Sequence, residues 1–184
     1  MITNQDRSGW FGASDTHFIT GNWETKTFQS WWLVKLGLKT NEFTTKAMRV
    51  GTHYEHKILD TIPGVRKDHQ IIIQNLLLRV NYDGDKDGTI YEVKTHLKEF
   101  KVTKAYWQQA QVEMFAMNTK DFFIVSYQLT EGDYKNYFNE IDLSRIVYHQ
   151  IKYDEDFINT KYLPDLKTLN KCLVDGALPK RSIA

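Results

Sequence analysis

The chain has 184 residues, 41% of them hydrophobic and 26% charged, an ordinary composition for one soluble globular domain with a real core. Its 24 Lys and Arg against 23 Asp and Glu give a formal net charge of +1, which excludes a uniformly basic nucleic-acid coat. Any DNA contact must come from a local patch, or from patches gathered by assembly. The single cysteine, Cys172, excludes an intramolecular disulfide and a cysteine-bound zinc or iron–sulfur site. No apolar run approaches a membrane span, and Met1 to Arg7 has no signal-peptide core, so an intracellular, cytoplasmic protein is expected.

In chain order, Ser14 can cap a short helix running to Thr20, with Gly21 as its stop. A second helix is predicted from Phe28 to Leu36, carrying Trp31 and Trp32 and ended by Gly37. A third runs from Thr44, as cap, to Asp60, before Ile62-Pro63-Gly64 breaks it. Ile71 to Ile73 and Leu76 to Tyr82 read as strands, and such near-continuous apolar runs suggest cover on both faces. Thr103 to Met117 reads as a helix, Phe122 to Tyr127 as a buried strand and Ile146 to Tyr153 as a further strand. Asp154 to Asp175 closes the chain as a helical segment interrupted near Pro164. With no repeat or linker, residues 1–184 form one domain of the α/β (α+β) class, a mixed central sheet flanked by helices.

The second strand leads into Asp83-Gly84-Asp85-Lys86-Asp87-Gly88-Thr89-Ile90-Tyr91-Glu92-Val93-Lys94. Asp87-Gly88 is a two-residue hairpin signal, because a type I′ turn needs positive φ at both central positions. That turn pairs Lys86 with Thr89, Asp85 with Ile90, Gly84 with Tyr91 and Asp83 with Glu92. Directly opposed residues hold their Cβ atoms about 4.5–5.5 Å apart, so the two carboxylates repel unless a cation sits between them. Lys94 falls on the face of Glu92, and Val93 points the other way as a core anchor. Acid, opposed acid and lysine on one face suit a magnesium site in which Lys94 orients or deprotonates the attacking water. The bland alternative is a solvated hairpin tip.

The first six residues from Asp83 also fit a calcium loop, but its twelfth position needs a bidentate Glu and is Lys94, so that reading fails. On the third predicted helix, Glu55 follows Gly51 by one turn and could add a carboxylate to the metals or simply be a solvated glutamate. His53 and His56 match no zinc spacing and read as ordinary histidines. Gln109 and Gln111, in Tyr106 to Met114, lack an obvious packing reason. Lys94, Lys98, Lys101 and Lys104 form a basic string that can face phosphates or be solvated surface.

Four ordered blocks resemble the phage-type alkaline exonucleases similar to lambda exonuclease, the YqaJ-like viral recombinases of the PD-(D/E)XK superfamily. They are Arg7 to Asp15, Met48 to Glu55, Asp83-Gly84 with Glu92-Val93-Lys94, and Tyr106 to Met114. Tyr82 stands where that family often has proline, and nothing from about Asn118 onward matches its motifs. The resemblance implies a restriction-endonuclease-like fold and Mg²⁺-dependent DNA hydrolysis, with Mn²⁺ substituting. It implies that Asp83, Glu92 and the Val93 carbonyl hold the metal with help from Glu55, that Lys94 activates water, and that Gln109 supports the site. Arg7 and Ser14 are implied to hold a 5′-phosphate. The expected function is 5′→3′ digestion of linear double-stranded DNA ends, giving single-stranded tails for an annealing protein in phage recombination. A structure-selective or nicking endonuclease, and a catalytically idle DNA-binding protein, are the rivals. A homo-oligomer, a ring-like trimer, is also implied, for which Trp10, Trp23, Trp31 and Trp32 could supply interface or core.

Overall fold

The computed structural model describes residues 7–40, 45–137 and 139–181. A 3₁₀ turn at Ala13–Asp15 leads into α1 (Thr16–Ile19), followed by α2 (Lys26–Lys35) and α3 (Lys46–Leu59). Strands β1 (Arg66–Ile73), β2 (Leu78–Lys86) and β3 (Thr89–His96) precede α4 (Lys104–Met117), β4 (Phe122–Gln128) and α5 (Glu131–Lys135). Strand β5 (Ile146–Gln150), a π-helical turn (Phe157–Tyr162) and α6 (Leu163–Val174) follow. The sheet order is β1-β2-β3-β4-β5, with β3 and β4 parallel and the other neighbours antiparallel, so the expected mixed sheet is what forms.

The local signals explain most boundaries. Thr25, Thr45 and Thr103 each accept a hydrogen bond from the backbone N–H three residues on, and so start α2, α3 and α4. The cap expected at Thr44 lies outside the described residues. Ser14 caps nothing: Gly12 precedes the turn, and the Asp15 carboxylate accepts the Gly12 N–H at 2.8 Å. The expected short helix is therefore a 3₁₀ turn joined to α1. The helical segment expected from Asp154 to Asp175 forms, and its α-geometry is interrupted beside Pro164 as expected. The π-helical turn Phe157–Tyr162 runs directly into α6, whose second residue is the proline that cannot donate a backbone N–H. Helix α5 was not expected, and Thr130 with Asp133 forms its capping box.

Two cores lie on the two sheet faces. One gathers α1, α2, α4 and α6 around Phe11, Trp32, Ile90, Ile124 and Leu166. The other places α3 against Val93, Val125 and Tyr127. Strand β4 feeds both, as its apolar run implies. The first strand does not: β1 is an edge strand whose Ile72 is 52% exposed, so its isoleucine run is not covered on both faces. Of the tryptophans named above, Trp23 and Trp32 are buried in the first core with Trp31 packed against them through Phe28, whereas Trp10 is half-buried and outside it.

The hairpin forms at Asp87 (φ +49°) and Gly88 (φ +86°), with Lys86↔Thr89, Asp85↔Ile90 and Gly84↔Tyr91 as expected. The ladder stops there. Asp83 does not pair with Glu92; its carboxylate accepts the Val93 backbone N–H at 2.8 Å instead, so β2 and β3 part at this point. Gly84 is required beside it, because a Cβ would stand 3.0 Å from Leu59 and Val65 side-chain atoms. Farther along β2, Phe11 bonds to Leu77 O and Arg79 N–H at 2.8 Å each, bringing the N-terminal segment beside the strand that β3 has left.

Candidate active site

Between β2, β3 and the N-terminal segment lies a cavity of about 260 Å³. Asn81 and Asp83 on β2, Glu92 and Lys94 on β3, and Gln109 on α4 line one part of it. Arg7, Ser14, Asp15, Lys35 and Arg79 line another. Thus Arg7, Ser14, Asp83, Glu92, Lys94 and Gln109, six of the residues singled out in the sequence, meet in one space.

At the acidic end, Glu92 is buried and its Oε1 accepts from Lys94 Nζ at 2.6 Å and from Gln109 Nε2 at 2.6 Å. The Lys94 ammonium also lies 5.2 Å from the Tyr106 ring centroid, so Tyr106 braces it from a second side. Burial alone would push the Lys94 pKa down, but Glu92 and Asp83 outweigh it and hold it above the ordinary lysine value. The backbone of Val93 spends its N–H on Asp83, and its side chain anchors β3 in the second core, as expected.

Acidic charge is crowded here. Burial, then Glu92 and Glu55, push the Asp83 carboxyl well above the usual range. Burial, then Glu92, raise Glu55 to about 7. Glu55 is outside the cavity lining but close enough for these charges to act on it, so α3 brings it to the back of the site. Gly51, one turn earlier, faces Thr95 of β3, whose Oγ1 lies 3.4 Å from where a Cβ would stand. Behind Gln109 lies Glu113, fully buried and likewise pushed well above its usual range by burial and then Glu92.

These residues fit a divalent cation. Glu92 Oε2 and Glu113 Oε2 are buried without a hydrogen-bond partner among the described residues, and such orphaned carboxylate oxygens are costly unless something positive meets them. The donor set is oxygen only, which suits Mg²⁺ or Mn²⁺ rather than zinc. Ligating atoms of Glu55, His56 and Asp68 also lie within 4.8 Å of one another, but His56 Nε2 is already engaged with Asp68 Oδ1 at 3.1 Å.

The other end is cationic. Lys35, only 2% exposed, donates to Asp15 Oδ2 at 2.6 Å and to the Trp10 carbonyl at 2.8 Å. Asp15 also accepts from Trp31 Nε1 at 2.9 Å. Desolvation lowers the Lys35 pKa despite Asp15, and the nearby Arg7 and Arg79 push the same way. Three cations therefore gather at this end of the cavity, and Lys35 is the one paired with the buried Asp15 carboxylate. Ser14, exposed and free of capping duty, adds its hydroxyl to that wall.

Sequence reasoning missed Glu113, Asp15, Lys35, Arg79 and Asn81. For Glu113 a signal existed: it lies one helical turn beyond Gln109, on the same face, between the buried Val112 and Met114. For the Asp15–Lys35 pair none did. Lys98, Lys101 and Lys104 are exposed beyond the site, and Lys101 pairs with Glu99 at 3.6 Å.

No family model and no curated protein matches the chain by sequence. Solved structures do match by shape. An alkaline exonuclease from Laribacter hongkongensis superposes with a TM-score of 0.63 at 18% identity, over 92% of this chain and 88% of that one. A phage-related exonuclease from Haemophilus somnus superposes with a TM-score of 0.65 at 16% identity, over 91% of this chain and 96% of that one. A complex of the Laribacter exonuclease with dAMP matches equally well, at a TM-score of 0.63. The chain has the fold of these exonucleases, a restriction-endonuclease-like core, which is the fold that the sequence blocks led one to expect.

Proposed function

We propose that this chain is a Mg²⁺-dependent deoxyribonuclease, and that it digests linear double-stranded DNA from 5′ ends. The observation that carries the reading is the division of one cavity into an acid end (Asp83, Glu92) and a cationic end (Arg7, Lys35, Arg79 around Asp15). A strand whose terminal phosphate rested on the cations would lead its next phosphodiesters toward the carboxylates of the same cavity. The shape likeness to proteins described as exonucleases supports the same reading.

Asp83 and Glu92, with the Val93 carbonyl and Glu55 behind them, would hold Mg²⁺, and Mn²⁺ would substitute. When bound, the ion polarises a phosphoryl oxygen and acidifies water. Lys94, pinned to Glu92 and carrying its proton, orients the attacking water and offsets negative charge developing on the phosphate. Gln109 fixes the Glu92 carboxylate from the opposite side. Arg7 and the Ser14 hydroxyl grip the 5′-phosphate. The product would be a single-stranded tail suited to an annealing protein in recombination, made by a homo-oligomer ringed around the duplex. Light scattering with and without DNA tests that assembly; a monomer of 21.7 kDa in both would rule out the ring.

Incubating the protein and Mg²⁺ with linear and covalently closed duplexes tests the activity. Loss of linear DNA alone supports the exonuclease. Nicking of circles would mean an endonuclease of the same fold, and no cleavage of either would mean a DNA-binding protein.

A further inference from the structure

Glu113 has no role in the reaction proposed above and does not line the cavity, yet it is fully buried against the site. Its Oε1 accepts from Gln109 Nε2 at 2.8 Å, and the same Nε2 donates to Glu92 Oε1 at 2.6 Å. An amide nitrogen has two hydrogens, and these two carboxylate oxygens take both. With both amide hydrogens committed, the carbonyl Oε1 is the polar atom that Gln109 has left for the cavity it lines.

We infer that Glu113 is a positioning residue: it locks the Gln109 amide so that Gln109 clamps Glu92 and presents a hydrogen-bond acceptor, not a donor, to the water beside Lys94. The inference rests on the nuclease reading for its kinetic consequence, and on geometry alone for the lock. The lock does not depend on the protonation of Glu113, because Oε1 accepts in the carboxylate and in the neutral acid alike. Without Glu113 one amide hydrogen is released, the amide can turn over, and Glu92 Oε1 keeps only Lys94 as a fixed partner. An acceptor held beside Lys94 orients a water through its hydrogen. A donor there would compete with that water for the phosphate oxygens. The effect falls on the chemical step and leaves substrate binding alone.

The test compares Glu113→Gln, which keeps an accepting oxygen, with Glu113→Met, which keeps the length and removes it. On linear duplex with Mg²⁺, Glu113→Met should lower kcat about 10- to 100-fold with KM little changed, and Glu113→Gln should retain most of kcat. In a Gln109→Met background, Glu113→Met should cost nothing more, since it acts through Gln109. Full activity of Glu113→Met, an equal loss in both variants, or additive losses would each overturn the inference. If wild type cuts no DNA, the nuclease reading fails by itself, and exchange of the Gln109 side-chain amide protons still decides the lock. The account expects exchange about tenfold faster in Glu113→Met than in wild type and Glu113→Gln. Equal rates in all three would overturn it.

Discussion

The two ends of the cavity are built in opposite ways. The acid end rests on local rules: a two-residue turn, strand alternation and one helix face bring Asp83, Glu92, Lys94 and Gln109 together. The cationic end rests on contacts between distant segments. Lys35 on α2 reaches back to Asp15 and the Trp10 carbonyl, and Phe11 is held by the backbone of Leu77 and Arg79. The acid end is electrostatically unfinished, with carboxyls pushed up and oxygens orphaned, whereas the one buried acid of the cationic end is fully met by donors. One end leaves room for the cation proposed above, and the other is a finished scaffold.

That contrast sets the expected effects, largest first. Asp83→Asn or Glu92→Gln should remove cleavage altogether, at least ~10⁴-fold, because the cation's several kcal/mol of charge stabilisation goes with its ligands. Gel assays on linear duplex would read this, and retained turnover would place the chemistry elsewhere. Lys94→Ala should cost about 10²–10⁴-fold in kcat with DNA binding nearly intact. Unchanged turnover would make Lys94 a bystander.

The cationic end should answer in stability before rate. Lys35→Met leaves the Asp15 carboxylate buried without its cation and should cost about 3–5 kcal/mol, read by urea unfolding. A loss below about 1 kcal/mol would mean that the Gly12 and Trp31 donors suffice. Arg7→Ala should slow digestion of 5′-phosphorylated ends about 10- to 100-fold while sparing 5′-hydroxyl ends, given the usual worth of a charge-assisted hydrogen bond. Equal losses on both ends would make Arg7 structural.

The smallest effect is on pH. Glu55 titrates near 7 in the fold against an ordinary value of 4.5, and Asp83 and Glu113 are shifted the same way. The folded protein then holds protons that the unfolded chain has already lost. Its stability is fullest below the unfolded values and falls as pH rises through the folded ones. Metal-free protein should melt lower at pH 8 than at pH 5, and Mg²⁺ should narrow the gap. A melting temperature that rises over that range would contradict the crowding of acids.

The same contrast explains what the sequence made legible. The hairpin register, the placement of Lys94 beside Glu92 and the role of Val93 as core anchor all follow from turn chemistry and a period of two. The direct pairing of Asp83 with Glu92 was wrong because it assumed a ladder that continues. The Asp83 side chain instead captures a backbone N–H that the ladder would have used. Ser14 misled as a helix cap because Asp15, the next residue, holds the turn. The Lys35–Asp15 pair joins residues that no periodicity connects, so only the folded chain brings it into view.

The central claim is that Asp83 and Glu92 together hold a divalent cation. Calorimetric titration of Mn²⁺ into wild type and into the Asp83→Asn/Glu92→Gln double variant tests it most directly, near pH 6.5 in buffers of different ionisation enthalpy. The account predicts binding with proton release in wild type, because carboxyls raised by crowding must deprotonate to bind metal, and no binding in the double variant. Absence of binding in wild type, or equal binding in the two proteins, would contradict it.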